Sequence, residues 1–136
     1  MTIYALSTAH GVSGLAVIRV SGHLALTALK TLTRKSHFEA SVMTRADFHE
    51  PESGRLIDKG LCVYFAKPKS FTGEDVVEIH VHGSQIVIDK ILHSLGTIQN
   101  VRMAEPGEFS KQAFLNNKMD LTCLLYTSDA ADEQDR

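Results

Sequence analysis

The sequence predicts an α+β domain with helices packed on one side of a mixed β-sheet. Short segments rich in Val and Ile, which are typical of strands, are mixed with longer segments whose apolar residues recur every three or four positions, which is typical of amphipathic helices. The predicted order is strand, helix, strand, strand, helix, strand, helix. This order indicates the α+β class, but it does not define the order of the strands in the sheet.

The composition is that of one globular domain. Of the 136 residues, 43% are apolar and 22% are charged, which is enough apolar material for one core. The net charge of −2 gives no reason to expect DNA or an anionic membrane as a partner. There is no apolar run of about 18 residues, no secretory signal pattern and no set of cysteines for a disulfide framework, so we expect a cytoplasmic protein.

The first part of the chain predicts one strand and one helix, preceded by a strand candidate that the order above does not count. Thr2 to Ser7 is a short strand candidate. Residues 15–20 are apolar, β-branched and bounded by glycines, which predicts a buried strand. Ser21 is a suitable N-cap for a helix from His23 to Leu32, whose leucines recur at helical spacing.

The middle of the chain predicts a loop and two strands. Residues 34–55 are polar and predict a loop with a short strand around Asp47. Leu61 to Phe65 is an apolar strand that ends before Pro68, because proline cannot continue a ladder. Val76 to His82 alternates, which predicts a half-buried strand with one polar face. The apolar face carries Val77, Ile79 and Val81, and the other face carries Val76, Glu78, His80 and His82.

The last part predicts a helix, a strand and a helix. Gln85 to Leu95 has an apolar stripe at helical spacing and is followed by glycine. Val101 to Ala104 is a short strand. A Pro-Gly-Glu turn leads into a helix from Phe109 to Leu115, which ends at two asparagines because asparagine tolerates the left-handed conformation.

Two charged residues inside apolar strands are the sharpest candidates for chemistry. Glu78 is either a solvent-facing glutamate or a carboxylate at a pocket, where it accepts two parallel N–H bonds from a flat base such as a pterin or guanine. Arg19 must pair or reach solvent, because an unpaired buried charge is costly. It is either the structural partner of Glu78, which the sequence slightly favours, or an anchor for a ligand carboxylate.

Other motifs allow a structural reading beside the functional one. His80 and His82 have a spacing that suits metal ligands, but no third ligand is evident, so we expect hydrogen-bonding or solvent-facing histidines and no metal site. Gly11 and Gly14 are typical of an ordinary turn more than of a phosphate loop.

The loop from Phe71 to Asp75 is either a capped turn or a pocket rim, with Phe71 available to stack on a flat ring. Lys118 follows the two asparagines near the end of the chain. Its position alone does not distinguish it from a solvated surface lysine.

Three motifs stand out when the sequence is taken as a whole. The first is GLAVIRVSG at residues 14–22, and the second is SFTGEDVVEI at residues 70–79, followed by a His-Gly pair. The third combines PGEFS at 106–110 with AFLN at 113–116 and KMDL at 118–121. Together, and in this order and spacing, they resemble the N-terminal domain of the MnmE (TrmE) family of tRNA-modification GTPases.

This resemblance implies a fold, a ligand and an assembly. The fold is similar to the tetrahydrofolate-binding part of the aminomethyltransferases, the ligand is 5-formyl- or 5,10-methylene-tetrahydrofolate, and the domain forms a homodimer. The folate-contacting arginine, glutamate and lysine of the family correspond to Arg19, Glu78 and Lys118. We therefore expect these three residues to bind the cofactor, and we assign no catalytic residue.

The full-length proteins of this family hydrolyse GTP with Mg²⁺ and K⁺. With MnmG, an FAD protein, they modify C5 of the wobble uridine in tRNA, and the folate supplies the one-carbon unit. No GxxxxGK[ST] phosphate loop and no counterpart of the family's C-terminal catalytic cysteine occur here. We therefore expect that this chain alone neither hydrolyses GTP nor completes the tRNA reaction.

The chain departs from the family pattern at its end. Residues 1–121 are predicted to be the folate-binding and dimerisation domain, although Ser84 and Asn117 replace common glycines. Residues 122–136 resemble translated sequencing-adapter sequence and are predicted to be a non-family tail. Cys123 is therefore not read as the catalytic cysteine.

Two alternative functions remain. One is a fragment of a folate-dependent aminomethyltransferase-like enzyme, against which the second and third motifs argue. The other is a dimerisation module that has lost folate binding, against which the presence of Arg19, Glu78 and Lys118 argues.

Overall fold

The structure, a computed structural model, describes residues 1–7 and 14–118. Within these residues the chain forms six strands and three helices. In chain order they are β1 (Thr2–Leu6), β2 (Leu15–Ser21), α1 (Ala25–Thr33), β3 (Thr44–His49), β4 (Leu56–Phe65), β5 (Val76–His82), α2 (Gln85–Gly96), β6 (Val101–Met103) and α3 (Glu108–Leu115). No helix of this described part is long and apolar enough to cross a membrane.

The six strands form one mixed sheet, which confirms the predicted α+β class. The strand order is β3-β4-β5-β2-β1-β6. Strands β1 and β6 pair in parallel, and the other neighbours are antiparallel. Strands β2 and β5 lie at the centre with partners on both sides, so their positions in the sheet are the most constrained.

Helices α1 and α2 cover one face of the sheet and share one apolar core with it. Fully buried members of this core include Ile18 and Val20 of β2, Val77 and Ile79 of β5, Leu29 and Leu32 of α1, and Ile91 and Leu95 of α2. The predicted apolar face of β5 is therefore confirmed. In α1 the buried residues follow the spacing of one helix face: Ala25, Ala28, Leu29 and Leu32.

Helix α3 lies against the opposite face, so the expectation that all helices pack on one side is wrong. Phe109 packs with Ile3 and Ala5 in a separate cluster. These residues of β1 point away from Tyr4, which belongs to the main core, because side chains alternate along a strand. The apolar spacing of α3 shows that the helix is amphipathic but not which face of the sheet it covers. We call this face of the sheet the α3 face.

The polar region 34–55 contains a complete edge strand, β3, which confirms the expected short strand around Asp47. Its buried residues Ala46 and Phe48 alternate with more exposed ones, as in a strand with one covered face. Pairing with β3 also extends β4, which begins at Leu56, before the predicted start. Hydrogen bonding between β3 and β4 sets the extent of both strands. The apolar pattern of the sequence does not predict this pairing.

Helix α1 begins at Ala25, and the prediction of Ser21 as its N-cap is wrong. Ser21 is the last residue of β2, and its hydroxyl bonds elsewhere. Leu24 takes the N-cap position, and its backbone N–H donates to Thr2 Oγ1 at 2.9 Å. A serine caps a helix only when its side chain can turn back to the first turn, and the alternation of β2 directs Ser21 to the α3 face.

Pairing of β4 with β5 ends at Leu61 and His80, next to Gly60. A Cβ atom on Gly60 would lie 2.1 Å from the backbone carbonyl oxygen of His80, so this close approach requires glycine. Beyond it, the Asp58 carboxylate accepts the backbone N–H of His82 at 2.8 Å. These contacts from β4 fix the backbone of β5 at His80.

An ion pair joins α3 to the edge of the sheet. Arg102 of β6 donates two hydrogen bonds to the Glu108 carboxylate, one of them at 2.8 Å to Oε1, and the backbone N–H of Glu105 donates to the same oxygen. The bond from Arg102 is the main effect that lowers the pKa of Glu108 from its ordinary value of 4.5, against the opposing effect of burial.

We expect Glu108→Gln to lower the free energy of unfolding at neutral pH. Because the folded-state pKa of Glu108 is lowered, the stabilisation is fully present above the ordinary pKa of 4.5 and is lost as the pH falls through the folded-state value. The difference between variant and wild type, measured by urea unfolding, should therefore shrink in acid. The exposed Glu39→Gln is the control, and a difference that does not change with pH would contradict the assignment.

Candidate functional site

Glu78 lies in the middle of the α3 face of the sheet. Its strand neighbours are Arg19 on β2 and Val63 on β4. Arg19 Nη2 donates to Glu78 Oε2 at 3.2 Å, and the two side chains are 27% and 20% exposed. The ion pair expected from the sequence is therefore formed, in a place that solvent reaches only in part.

His80 holds the second oxygen of the same carboxylate. Its Nε2 donates to Glu78 Oε1 at 3.1 Å, since a carboxylate can only accept. The predicted hydrogen-bonding role of His80 is confirmed. Each carboxylate oxygen has two acceptor positions, so after these bonds Glu78 can still accept two further N–H groups.

Arg19 is in contact with an aromatic ring as well as with Glu78. Its guanidinium lies 5.6 Å from the ring centroid of Phe71, within the range of a cation–π interaction. Phe71 is 52% exposed. Arg19 Nε is buried and has no hydrogen-bond partner within residues 1–7 and 14–118. The exposed ring leaves a flat apolar surface beside the ion pair.

A pocket of about 390 Å³ opens beside these side chains. Its lining residues are Arg19, Phe65, Lys69, Ser70, Phe71, Val76 and Glu78. The volume is at the lower end of the range for small-molecule sites. Apolar walls with one carboxylate and two cationic side chains suit a flat polar ligand that carries negative charge elsewhere.

The loop at 70–75, which forms one wall of the pocket, is bonded to β2 and α3. Ser21 Oγ donates to Gln112 Oε1 at 2.6 Å and lies 2.7 Å from Thr72 Oγ1. Asn116 Nδ2 donates to the Thr72 carbonyl at 3.0 Å and to the Glu74 carboxylate at 2.8 Å. Ser21 and Thr72 are fully buried. Helix α3 therefore sets the position of this loop through directional bonds.

Comparison with known proteins now adds to this geometry. The family model described as the N-terminus of the GTP-binding protein TrmE matches residues 2–118. Proteins named tRNA modification GTPase MnmE match over 121 residues, with 53% identity in Rickettsia bellii, 48% in Parvibaculum lavamentivorans and 47% in Pelagibacter ubique. The chain belongs to the TrmE family.

The match covers 89% of the chain but only 27–28% of each of these MnmE proteins. The TrmE resemblance indicated by the three sequence motifs is thus confirmed at the level of the family. The matched part of the family is its N-terminus.

The structure brings two of the three expected TrmE site residues together. Arg19 and Glu78 are bonded and line the pocket. Lys118 is exposed and lies beside the loop at 70–75: its Cγ is 3.4 Å from the position of a Cβ on Gly73, and its backbone N–H donates to the Ala113 carbonyl at 2.7 Å. Lys118 is not among the described residues that line the pocket.

Sequence reasoning missed the polar network that supports the TrmE pocket. Gln112 has no signal beyond its place on a helix, Asn116 is predicted only as the end of that helix and as part of the third motif, and Ser21 is predicted as an N-cap. Among the described residues, no group of three His, Cys, Asp or Glu side chains is placed to hold a metal ion. The turn with Gly11 and the tail with Cys123 lie outside the described residues.

We expect Gly73→Ala to disturb this TrmE pocket. Gly73 has φ +83°, and an added Cβ would lie 2.6 Å from Asn116 Cβ. Backbone strain and the displaced contact should lower the free energy of unfolding by about 1–3 kcal/mol. Urea unfolding measures the effect.

The matched control is Gly14→Ala, where an added Cβ meets no atom of residues 1–7 and 14–118 within 4 Å. If the two alanine variants were equally stable, the close packing of the loop against α3 would be contradicted.

Proposed function

We propose that this chain binds a reduced one-carbon folate, 5-formyl- or 5,10-methylene-tetrahydrofolate, in the pocket beside Glu78. The observation that carries the proposal is the Glu78 carboxylate, which is held by two donors on a central strand, lines the pocket and keeps acceptor capacity for a ligand. A reduced pterin presents parallel N–H donors along one edge. Charge-assisted bidentate bonds of this kind are about twice as strong as neutral ones.

The remaining pocket residues suit the rest of the folate. The exposed ring of Phe71 offers a surface on which a flat ring can stack. Arg19 supplies a cation inside the pocket, and Lys118 supplies one beside the loop. The benzoyl-glutamate part of a folate carries carboxylates, which such cations attract. We therefore assign Glu78 to the pterin, with Arg19 as the folate-contacting cation beside it, and Lys118 to the anionic part.

This binding is proposed to serve a larger protein. The relatives are named tRNA modification GTPases, and the chain corresponds to about a quarter of their length. We propose that the folate supplies a one-carbon unit for C5 of the wobble uridine in tRNA, with MnmG, an FAD protein, as partner. GTP hydrolysis with Mg²⁺ and K⁺ would belong to another part of such a protein, and the whole would act in the cytoplasm.

Glu78→Ala is expected to weaken folate binding by roughly a hundredfold or more, because two charge-assisted hydrogen bonds are lost. Calorimetric titration with 5-formyl-tetrahydrofolate measures this, and circular dichroism should remain unchanged. Glu78→Gln, which keeps the shape but replaces one acceptor by a donor, should also bind weakly. It remains informative if the alanine variant is unstable.

Asp47→Ala, on the exposed part of edge strand β3, is the control and should bind as wild type does. A Glu78→Ala protein that binds folate normally would contradict the assigned role of Glu78. A folded wild-type chain that binds no folate would contradict the proposed function and leave the dimerisation module as the better reading.

A homodimer is the second part of the proposal. Leu15 and Leu61 both belong to the α3 face, on either side of β5, and the two residues are 55% and 39% exposed. Large exposed apolar patches are typical of surfaces that meet another chain, and we propose that these two leucines belong to such a patch. Light scattering should give twice the mass of one chain, and a monomer at all concentrations would contradict the dimer.

A further inference from the structure

His80 bonds to Glu78, but it is not one of the three residues to which folate binding is assigned. Its Nε2 donates to Glu78 Oε1 at 3.1 Å, yet His80 is not among the described residues that line the pocket. Its side chain is 20% exposed, as is that of Glu78. His80 therefore touches the proposed ligand-binding carboxylate from the side, without facing the space in which the ligand would lie.

The position of His80 itself is well determined. It lies on β5 between Val17 of β2 and Leu61 of β4, so both sides of its backbone are paired. The close approach of Gly60 to its carbonyl oxygen fixes it further. A donor on such a rigid strand holds its acceptor in one place.

Two donors from different directions are needed to fix a carboxylate plane. Arg19 approaches Glu78 from the neighbouring strand, and His80 approaches it from two residues along the same strand. The terminal torsion of a glutamate is broad, so one bond alone leaves the carboxylate free to rotate about it. A ligand edge with two parallel N–H groups requires both oxygens in its own plane.

We propose that His80 is a positioning residue for folate recognition, which acts by holding the Glu78 carboxylate in the plane that accepts the pterin edge. This inference rests on the proposed folate function. His80 does not contact the ligand, and it is needed for the hydrogen-bonding pattern rather than for the charge of the site.

The test compares His80→Leu with His80→Gln. Leucine removes the donor, whereas the glutamine amide N–H can reach the same place as the imidazole Nε2–H. With 5-formyl-tetrahydrofolate in calorimetry, His80→Leu should bind about tenfold more weakly than wild type, because a carboxylate that is free to rotate aligns less well with the two ligand N–H groups. His80→Gln should restore the affinity to within about threefold of wild type.

A second readout separates positioning from a general structural role. The analogue of the ligand that lacks the pterin 2-amino group offers one donor fewer to Glu78. Wild type should prefer the parent folate over this analogue, and the preference should fall in His80→Leu and return in His80→Gln. His82→Gln is the matched control, because His82 lies on the same strand and face but bonds to Asp58.

Two results would overturn the inference while leaving the proposed function intact. One is a His80→Leu protein that binds and discriminates as wild type does. The other is a His80→Gln protein that is as weak as the leucine variant although both have wild-type unfolding temperatures. A wild-type chain that does not bind 5-formyl-tetrahydrofolate is a different outcome, since it overturns the proposed function and this inference with it.

Discussion

A carboxylate in the middle of a β-sheet is the constraint on which the site depends. Glu78 lies on a central strand whose other face is buried in the core and whose two edges are both paired. The backbone at Glu78 is therefore fixed, and its partners must come to it. Removing one partner of a partly buried ion pair leaves a charge without compensation, which is costly. Arg19 and His80 supply that compensation from two directions, and in doing so they present the carboxylate to the pocket.

The pocket wall depends on a second, polar constraint. Ser21 and Thr72 are buried and bonded to each other, and Gln112 and Asn116 join the same network from α3. Hydrogen bonds of this kind define geometry more strictly than apolar contacts, because an unsatisfied buried polar group costs about 1–3 kcal/mol. Helix α3 therefore positions the loop at 70–75 as well as covering the second face of the sheet.

Family membership follows from sequence identity, whereas the way in which a ligand would be held follows from the geometry of the site. Identity of about half over 121 residues establishes that the chain is a TrmE-family N-terminus. It does not say how a ligand would be held. The clamped carboxylate, the exposed aromatic ring and the pocket beside them provide a physical reason why a flat ligand with N–H donors suits this domain, and they add His80 to the residues on which recognition would depend.

Local patterns in the sequence determined the class of the fold, the two central strands and the apolar face of β5. They also placed Arg19 and Glu78 on strands. These features could be predicted because alternation and helical spacing are properties of neighbouring residues. The same alternation placed His80 on the face of Glu78 and predicted a hydrogen-bonding or solvent-facing side chain, but it did not identify Glu78 as the partner. The strand order, the packing of α3 on the second face and the bonds of Ser21 with Thr72 and Gln112 were decided only by the tertiary structure. Those contacts join residues far apart in the chain, and no local pattern specifies which distant partners will meet.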